Sequence, residues 1–204
     1  MTTSVSSLPK TLWQMAGVIR TAPAWDQAVL VLIDHQNDYL DGALPLAGIA
    51  QAIIVNEKLL AAARAQGTPV VHVRHLSKPG AALFDPNSRG ADFIAVLAPQ
   101  PGESVVDKTL PNSFAGTNLQ DVLTGFGRKE LLIAGFMTHN CVSATARSGL
   151  DHGYAVTVVA DATATRDLPA YGGGVLAAAV VQQASLTALA DRTVLVVDGA
   201  ELGV

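Results

Sequence analysis

The feature that most constrains this chain is an apolar run without alternation, Ala28-Val29-Leu30-Val31-Leu32-Ile33. A strand with one wet face alternates apolar and polar residues, so a run that is apolar at every position belongs to a strand covered on both faces. Such strands occupy the middle of mostly parallel sheets with helices on either side. Further candidate strands follow at Pro69–His75, Glu103–Asp107, Glu130–Ala134, Tyr154–Val159 and Val194–Val197. Helical signals separate them. Ile49, Ala52, Ile53, Asn56, Leu59, Leu60 and Ala63 recur at helical spacing, with Gly67 as a stop. Shorter helices are expected over Leu119–Leu123 and from near Asn140 to Gly153, and an Ala-rich helix after Gly172-Gly173-Gly174 runs to about Leu189.

Strands alternating with helices imply right-handed crossovers. The predicted fold is α/β, a three-layer doubly wound sandwich around a mostly parallel six-stranded sheet of order 3-2-1-4-5-6. With 204 residues, half of them hydrophobic, one core suffices: residues 27–204 form the domain, and residues 1–26 form an irregular N-terminal arm carrying Trp13 and Trp25. That arm is expected to lie over the domain or over a neighbouring subunit. Residues 76–103 carry many breakers and only a short helical turn near Phe93 to Leu97, the kind of long connection that builds a binding site or a lid.

A net charge of −4 without a Lys/Arg block interleaved with aromatics argues against a nucleic-acid groove or an anionic membrane surface. The expected partner is a small-molecule substrate. The alanine-rich, apolar composition suggests self-association as a homo-oligomer. A single cysteine makes no internal disulfide, and the N-terminus has no charged segment followed by an apolar one, so a cytoplasmic setting is expected.

That cysteine, Cys141, falls on the turn between the Glu130–Ala134 strand and the next helix, in Gly135-Phe136-Met137-Thr138-His139-Asn140-Cys141. Unpaired N–H groups and the helix dipole there favour a thiolate and can hold an oxyanion. A buried, inert thiol is the alternative. In the doubly wound order the ligand crevice lies where the winding reverses, between the first and fourth strands. Asp34 closes the first strand and Cys141 follows the fourth, so both meet in that crevice. Gln36 and Asp38 lie just beyond Asp34, either in the site or as solvated loop groups. Tyr39, Phe84 and Phe114 are candidate pocket walls, with core packing the competing reading. His75 and His139 stand at the same edge, and Thr138 or Asn140 could cap the helix. The three glycines at 172–174 do not follow a strand in a phosphate-binding pattern, which argues against a nucleotide site.

Taken together, Ile33-Asp34-His35-Gln36-Asn37-Asp38-Tyr39, Val106-Asp107-Lys108 with Asn112-Ser113-Phe114, the segment from Gly135 to Val142, and Asp161-Ala162 resemble the isochorismatase-like superfamily of cysteine hydrolases over residues 27–198. The resemblance implies a catalytic triad of Asp34, Lys108 and Cys141, with Lys108 reaching across the second strand. It implies a cis peptide at Phe136-Met137, and an oxyanion hole from the N–H groups of Met137 and Cys141. Substrate contacts are expected from Gln36, Tyr39, His75, Phe84, Phe114 and His139. Superfamily members that cleave the vinyl ether of isochorismate lack the cysteine, so Cys141 points to C–N hydrolysis of a small amide, carbamoyl or ureido compound without a cofactor. Nicotinamidases of the superfamily use a metal held by an Asp-x-His pair and a further His. His72 and His75 point to opposite faces of a strand and do not supply that pattern, so no metal is expected. A metal-dependent amidase and a catalytically silent binding domain are the alternatives.

Overall fold

The computed structural model describes residues 8–204. β1 (Ala28–Ile33) is buried along its whole length. Alternate residues serve opposite cores: Val29, Val31 and Ile33 pack on one side, and Ala28, Leu30 and Leu32 on the other. This is the two-faced burial that an unalternating apolar run requires.

The connection after β1 holds the short helix α2 (Asn37–Leu40) and the long helix α3 (Ile49–Ala65), which returns the chain to β2 (Val70–His75). β3 (Ser104–Lys108), α4 (Leu119–Gly125), β4 (Glu130–Phe136), α5 (Ser143–Asp151) and β5 (Ala155–Ala164) follow. A two-stranded hairpin of β6 (Leu168–Pro169) and β7 (Val175–Leu176) precedes α6 (Ala178–Arg192) and β8 (Leu195–Val197). The main sheet is parallel throughout, with order β3-β2-β1-β4-β5-β8. This is the expected doubly wound order, with β8 as the sixth main strand. β1 and β4 are neighbours, with Ile33 opposite Gly135.

Several boundaries differ from expectation. β5 runs on to Ala164 because its register against β4 jumps from Ile133–Val158 to Gly135–Thr163, carrying extra residues around Asp161. The glycines at 172–174 form the tip of the β6–β7 hairpin, where all three adopt positive φ. The connection between β2 and β3 contains two single turns of tight helix, Arg89–Ala91 and Ala95–Leu97.

The arm is not wholly irregular. Thr11 and Gln14 form a capping box around α1 (Leu12–Met15), a signal present in the sequence as Thr-x-x-Gln. The arm lies against its own domain: Leu12 N–H donates to Asp191 at 2.9 Å, Arg192 stacks 4.5 Å over the Trp13 ring, and Trp25 Nε1 donates to Leu202 O at 3.3 Å. Residues 1–7 of the expected arm lie outside the described residues.

Candidate active site

Four adjacent strands deliver side chains to one point at their C-terminal ends. The chain leaves β1 at Asp34, which adopts φ 54°, a left-handed conformation that Asp tolerates better than most residues. Its carboxylate is fully buried. Lys108, the last residue of β3, crosses the end of β2 and places Nζ 2.8 Å from Asp34 Oδ2 and 3.3 Å from Cys141 Sγ. Cys141 lies in a wide helical turn, Thr138–Val142, that runs straight into α5. The peptide Phe136-Met137 is cis, at the place the resemblance implied.

The electrostatics correct one expectation. Burial, reinforced by the Asp34 charge, pushes the Cys141 thiol up to about 12, and the Lys108 charge only partly offsets this. The resting group is therefore a thiol, despite its place at a helix start. Burial also raises Asp34, against the lowering effect of Lys108. The ammonium 2.8 Å from Oδ2 and the Cys141 thiol are the groups that face this carboxylate. A carboxylate raised by burial is a stronger base than one in water, and it stands beside the thiol.

The remaining predicted site residues divide into two groups. Tyr39 is buried, with its ring 5.1 Å from Phe84 and 5.9 Å from Phe136. Its hydroxyl is shifted upward by burial and then by the charges of Asp34 and Cys141. Phe84 also lies 5.2 Å from the His75 ring, so Tyr39, Phe84 and His75 wall one side of the site. His75 Nδ1 is 3.0 Å from Lys108 Nζ. His139 Nδ1 meets the Thr165 hydroxyl at 2.6 Å.

Phe114 and Gln36 are placed differently from expectation. Phe114 stacks on His152 at 4.6 Å and packs near Tyr154. Both precede β5, so Phe114 belongs to the opposite end of the sheet and is core rather than pocket wall. Gln36 is fully buried, and its amide is committed to backbone: Nε2 donates to His75 O and Ala91 O, and Oε1 accepts from His75 N. It is a clamp on the end of β2 and has no amide group left for substrate. Asp38 is likewise structural, accepting from Phe84 N at 2.6 Å and Ala43 N at 3.2 Å. Thr138 does not cap the helix, since its hydroxyl donates to Ala164 O.

Arg166 is a further residue to consider, outside the set expected from the sequence. It follows the unexpected extension of β5, its Nε is buried without a partner, and its charge is felt by both Tyr39 and His139. The ligand atoms of Asp34, His75 and Cys141 lie within 4.8 Å of one another, close enough to hold a metal ion. Lys108 Nζ already touches all three, so an internal ammonium occupies the position a metal would need. His72, the other histidine considered, pairs instead with Glu103 at 2.8 Å on the α3 side of the sheet. The donor set therefore does not fit a resident metal.

The family model of the isochorismatase domain matches residues 28–201. The chain belongs to the isochorismatase family. It is 41% identical over 177 residues to a secreted isochorismatase effector of Verticillium dahliae, covering 87% of this chain and 90% of that protein. It is 37% identical over 172 residues to a streptothricin hydrolase of Streptomyces noursei, covering 83% and 68%. A ureidoacrylate amidohydrolase of Pseudomonas savastanoi is 34% identical (67% and 70% covered), and a maleamate amidohydrolase of Pseudomonas putida 31% (67% and 72%). Among solved structures, an isochorismatase from Pseudomonas putida superposes with a TM-score of 0.91 at 39% identity, covering 96% of this chain and all of that one. A cysteine hydrolase from Pseudomonas syringae gives 0.85 at 27% identity, covering 97% and 96%. Among the described residues no helix is long and apolar enough to cross a membrane.

Proposed function

We propose that this protein is a cysteine-dependent hydrolase that cleaves the C–N bond of a small amide, carbamoyl or ureido compound through a thioester. The observation that carries the reading is the buried contact of Lys108 Nζ with both Asp34 and Cys141. In the proposed sequence Asp34 takes the thiol proton, and Sγ attacks the carbonyl carbon while Lys108 balances the charge. The backbone N–H groups of Met137 and Cys141 receive the oxyanion. The protonated Asp34 then gives its proton to the departing amine, and water releases the acid from the thioester. Apart from the hydrolytic water, each step uses a group of this chain, so no cofactor is invoked.

Arg166 supports a narrower class. A guanidinium with an unpartnered buried N–H, whose charge is felt by Tyr39 and His139, suits a substrate with a carboxylate beyond the amide. Ureidoacrylate and maleamate, named for two relatives, are acids of that type. The similarity to the fungal isochorismatase effector favours a second reading, hydrolysis of the isochorismate ether. A panel of amides, ureido acids and isochorismate separates the two. Ammonia release that Cys141→Ala abolishes supports the amidase, whereas isochorismate turnover that persists in Cys141→Ala supports the ether hydrolase.

We further propose that the protein works in a reducing compartment, supported by its one free cysteine, and as a homo-oligomer. Exposed Tyr171, Val175 and Val180 favour self-association, which light scattering in solution tests.

A further inference from the structure

The groups around Lys108 number three, not two. In the lateral order of the sheet, Lys108 ends β3, His75 ends β2, Asp34 follows β1 and Cys141 follows β4. Lys108 and His75 are register partners across the β2–β3 ladder, so the lysine must pass the imidazole to reach the carboxylate. Its Nζ lies 3.0 Å from His75 Nδ1, 2.8 Å from Asp34 Oδ2 and 3.3 Å from Cys141 Sγ. An ammonium carries three protons and no lone pair, so Nδ1 is the accepting nitrogen and the ring proton sits on Nε2. Gln36 brackets the His75 backbone with two 2.8 Å hydrogen bonds, one to its N–H and one to its C=O. A fully buried side chain is thus spent on fixing where this imidazole stands.

We propose that His75 is a positioning residue: its Nδ1 accepts a hydrogen bond from the Lys108 ammonium and holds Nζ between carboxylate and thiol while the proton passes from Sγ to Asp34. The inference rests on the cysteine-hydrolase reading. In that transfer the S–H bond breaks and an O–H bond forms on Asp34, so the negative charge moves from oxygen to sulfur and the net charge of the site is unchanged. Nζ must remain in contact with both ends of the transfer. A neutral third acceptor holds it without competing for its charge, whereas an apolar side chain would let it swing toward the carboxylate alone. Burial and the Lys108 charge push His75 down to about 4, which keeps the ring neutral around pH 7. The charged and titratable groups at the Nζ cluster it joins are Lys108, Asp34 and Cys141, and its other close neighbour is the Phe84 ring.

Two variants separate this role from packing. In His75→Asn, Oδ1 can stand near the place of Nδ1; in His75→Leu, the acceptor is lost while bulk is kept. Two readouts are taken: kcat and KM on an amide found by the panel, and the pH dependence of Cys141 alkylation by iodoacetamide without substrate. For His75→Leu, kcat falls about 30-fold with KM changed less than about threefold, the size expected for one hydrogen bond to a charged group. The alkylation profile moves to higher pH, and His75→Asn recovers most of both losses. An unchanged alkylation profile in the Leu variant, or an Asn variant no better than Leu, overturns the proposal. Alkylation needs no turnover: a His75-dependent thiol in a protein that hydrolyses no amide would reject the functional reading alone, while full amidase activity in His75→Leu would reject the positioning role alone. If His75→Leu does not fold, nitrogen NMR of the wild-type imidazole decides, with the Nε2–H tautomer expected and the Nδ1–H tautomer contradictory.

Discussion

Replacing Asp34 by Asn should separate two properties of Cys141 that usually move together. With the thiol near 12, about one molecule in 30,000 carries a free thiolate around pH 7.5, which corresponds to about 6 kcal/mol. In the proposed mechanism Asp34 lowers that barrier by accepting the proton locally, yet its charge is also one reason the thiol is raised. At the separation of up to 4.8 Å between the ligand atoms, the unit-charge interaction is about 3 kcal/mol at an effective dielectric of about 20. The Asp34→Asn substitution removes that repulsion and leaves Lys108 facing the sulfur alone. Alkylation of Cys141 by iodoacetamide at about pH 8 should therefore rise by about tenfold or more, allowing for solvent screening. Amide turnover should fall by about a thousandfold, because neither the thiol proton nor the leaving amine has its acid–base partner. Both are measured on one preparation, by stopped alkylation with mass detection and by ammonia release. Alkylation that slows in the variant, or turnover within tenfold of wild type, would refute this account of Asp34.

Gly135→Ala should destabilise the fold. The residue has φ 116°, and an added Cβ would overlap the backbone carbonyl of Ile33 on β1. Strain and overpacking together cost about 2–5 kcal/mol, and a Tm within about 2 °C of wild type would contradict this. Asp38→Ala should raise KM more than it lowers kcat, since it releases the backbone N–H of Phe84 from the wall of the site; faster limited proteolysis within residues 78–88 is the accompanying sign. Stability should fall as the pH drops below about 6.5. His35 is fully buried and held to about 3, so the unfolded chain binds a proton that the folded chain refuses. At pH 5 this costs about 2 kcal/mol. His35→Phe should flatten the dependence of Tm on pH between 7 and 5, and an equally steep curve would reject His35 as its source.

The architecture was legible because its signals are local and repeated. An apolar run such as Ala28–Ile33 reports two-sided burial directly, and the alternation of strands with helices restricts the sheet order. Asp34 and Cys141 followed from that order alone, since strand ends at the reversal of winding converge. Lys108 needed the family resemblance, because a lysine at a strand end is an ordinary surface residue until another strand places a carboxylate before it. What stayed hidden depends on contacts between distant segments. Gln36 and Asp38 look like solvated loop groups in sequence, yet they spend their hydrogen bonds on the backbone of His75 and Phe84. Phe114 lies in a motif of the resemblance but packs at the far end of the sheet, which no spacing rule reveals. Arg166 stood outside every motif of the sequence, and it follows a strand whose extension past an irregularity is not signalled there. At the thiol, burial and a neighbouring carboxylate outweigh the helix dipole, and neither effect is visible in the local sequence.

Acyl transfer to sulfur leaves a covalent trace that nothing else in the site could produce. A turning-over mixture with the best amide substrate is quenched in acid, digested with trypsin and weighed at the peptide Glu130–Arg147, which contains Cys141. The account predicts an acyl adduct on that peptide, removed by hydroxylamine and absent from Cys141→Ala. Steady amide turnover with this peptide unmodified even when a rapid quench captures the first turnover would contradict it.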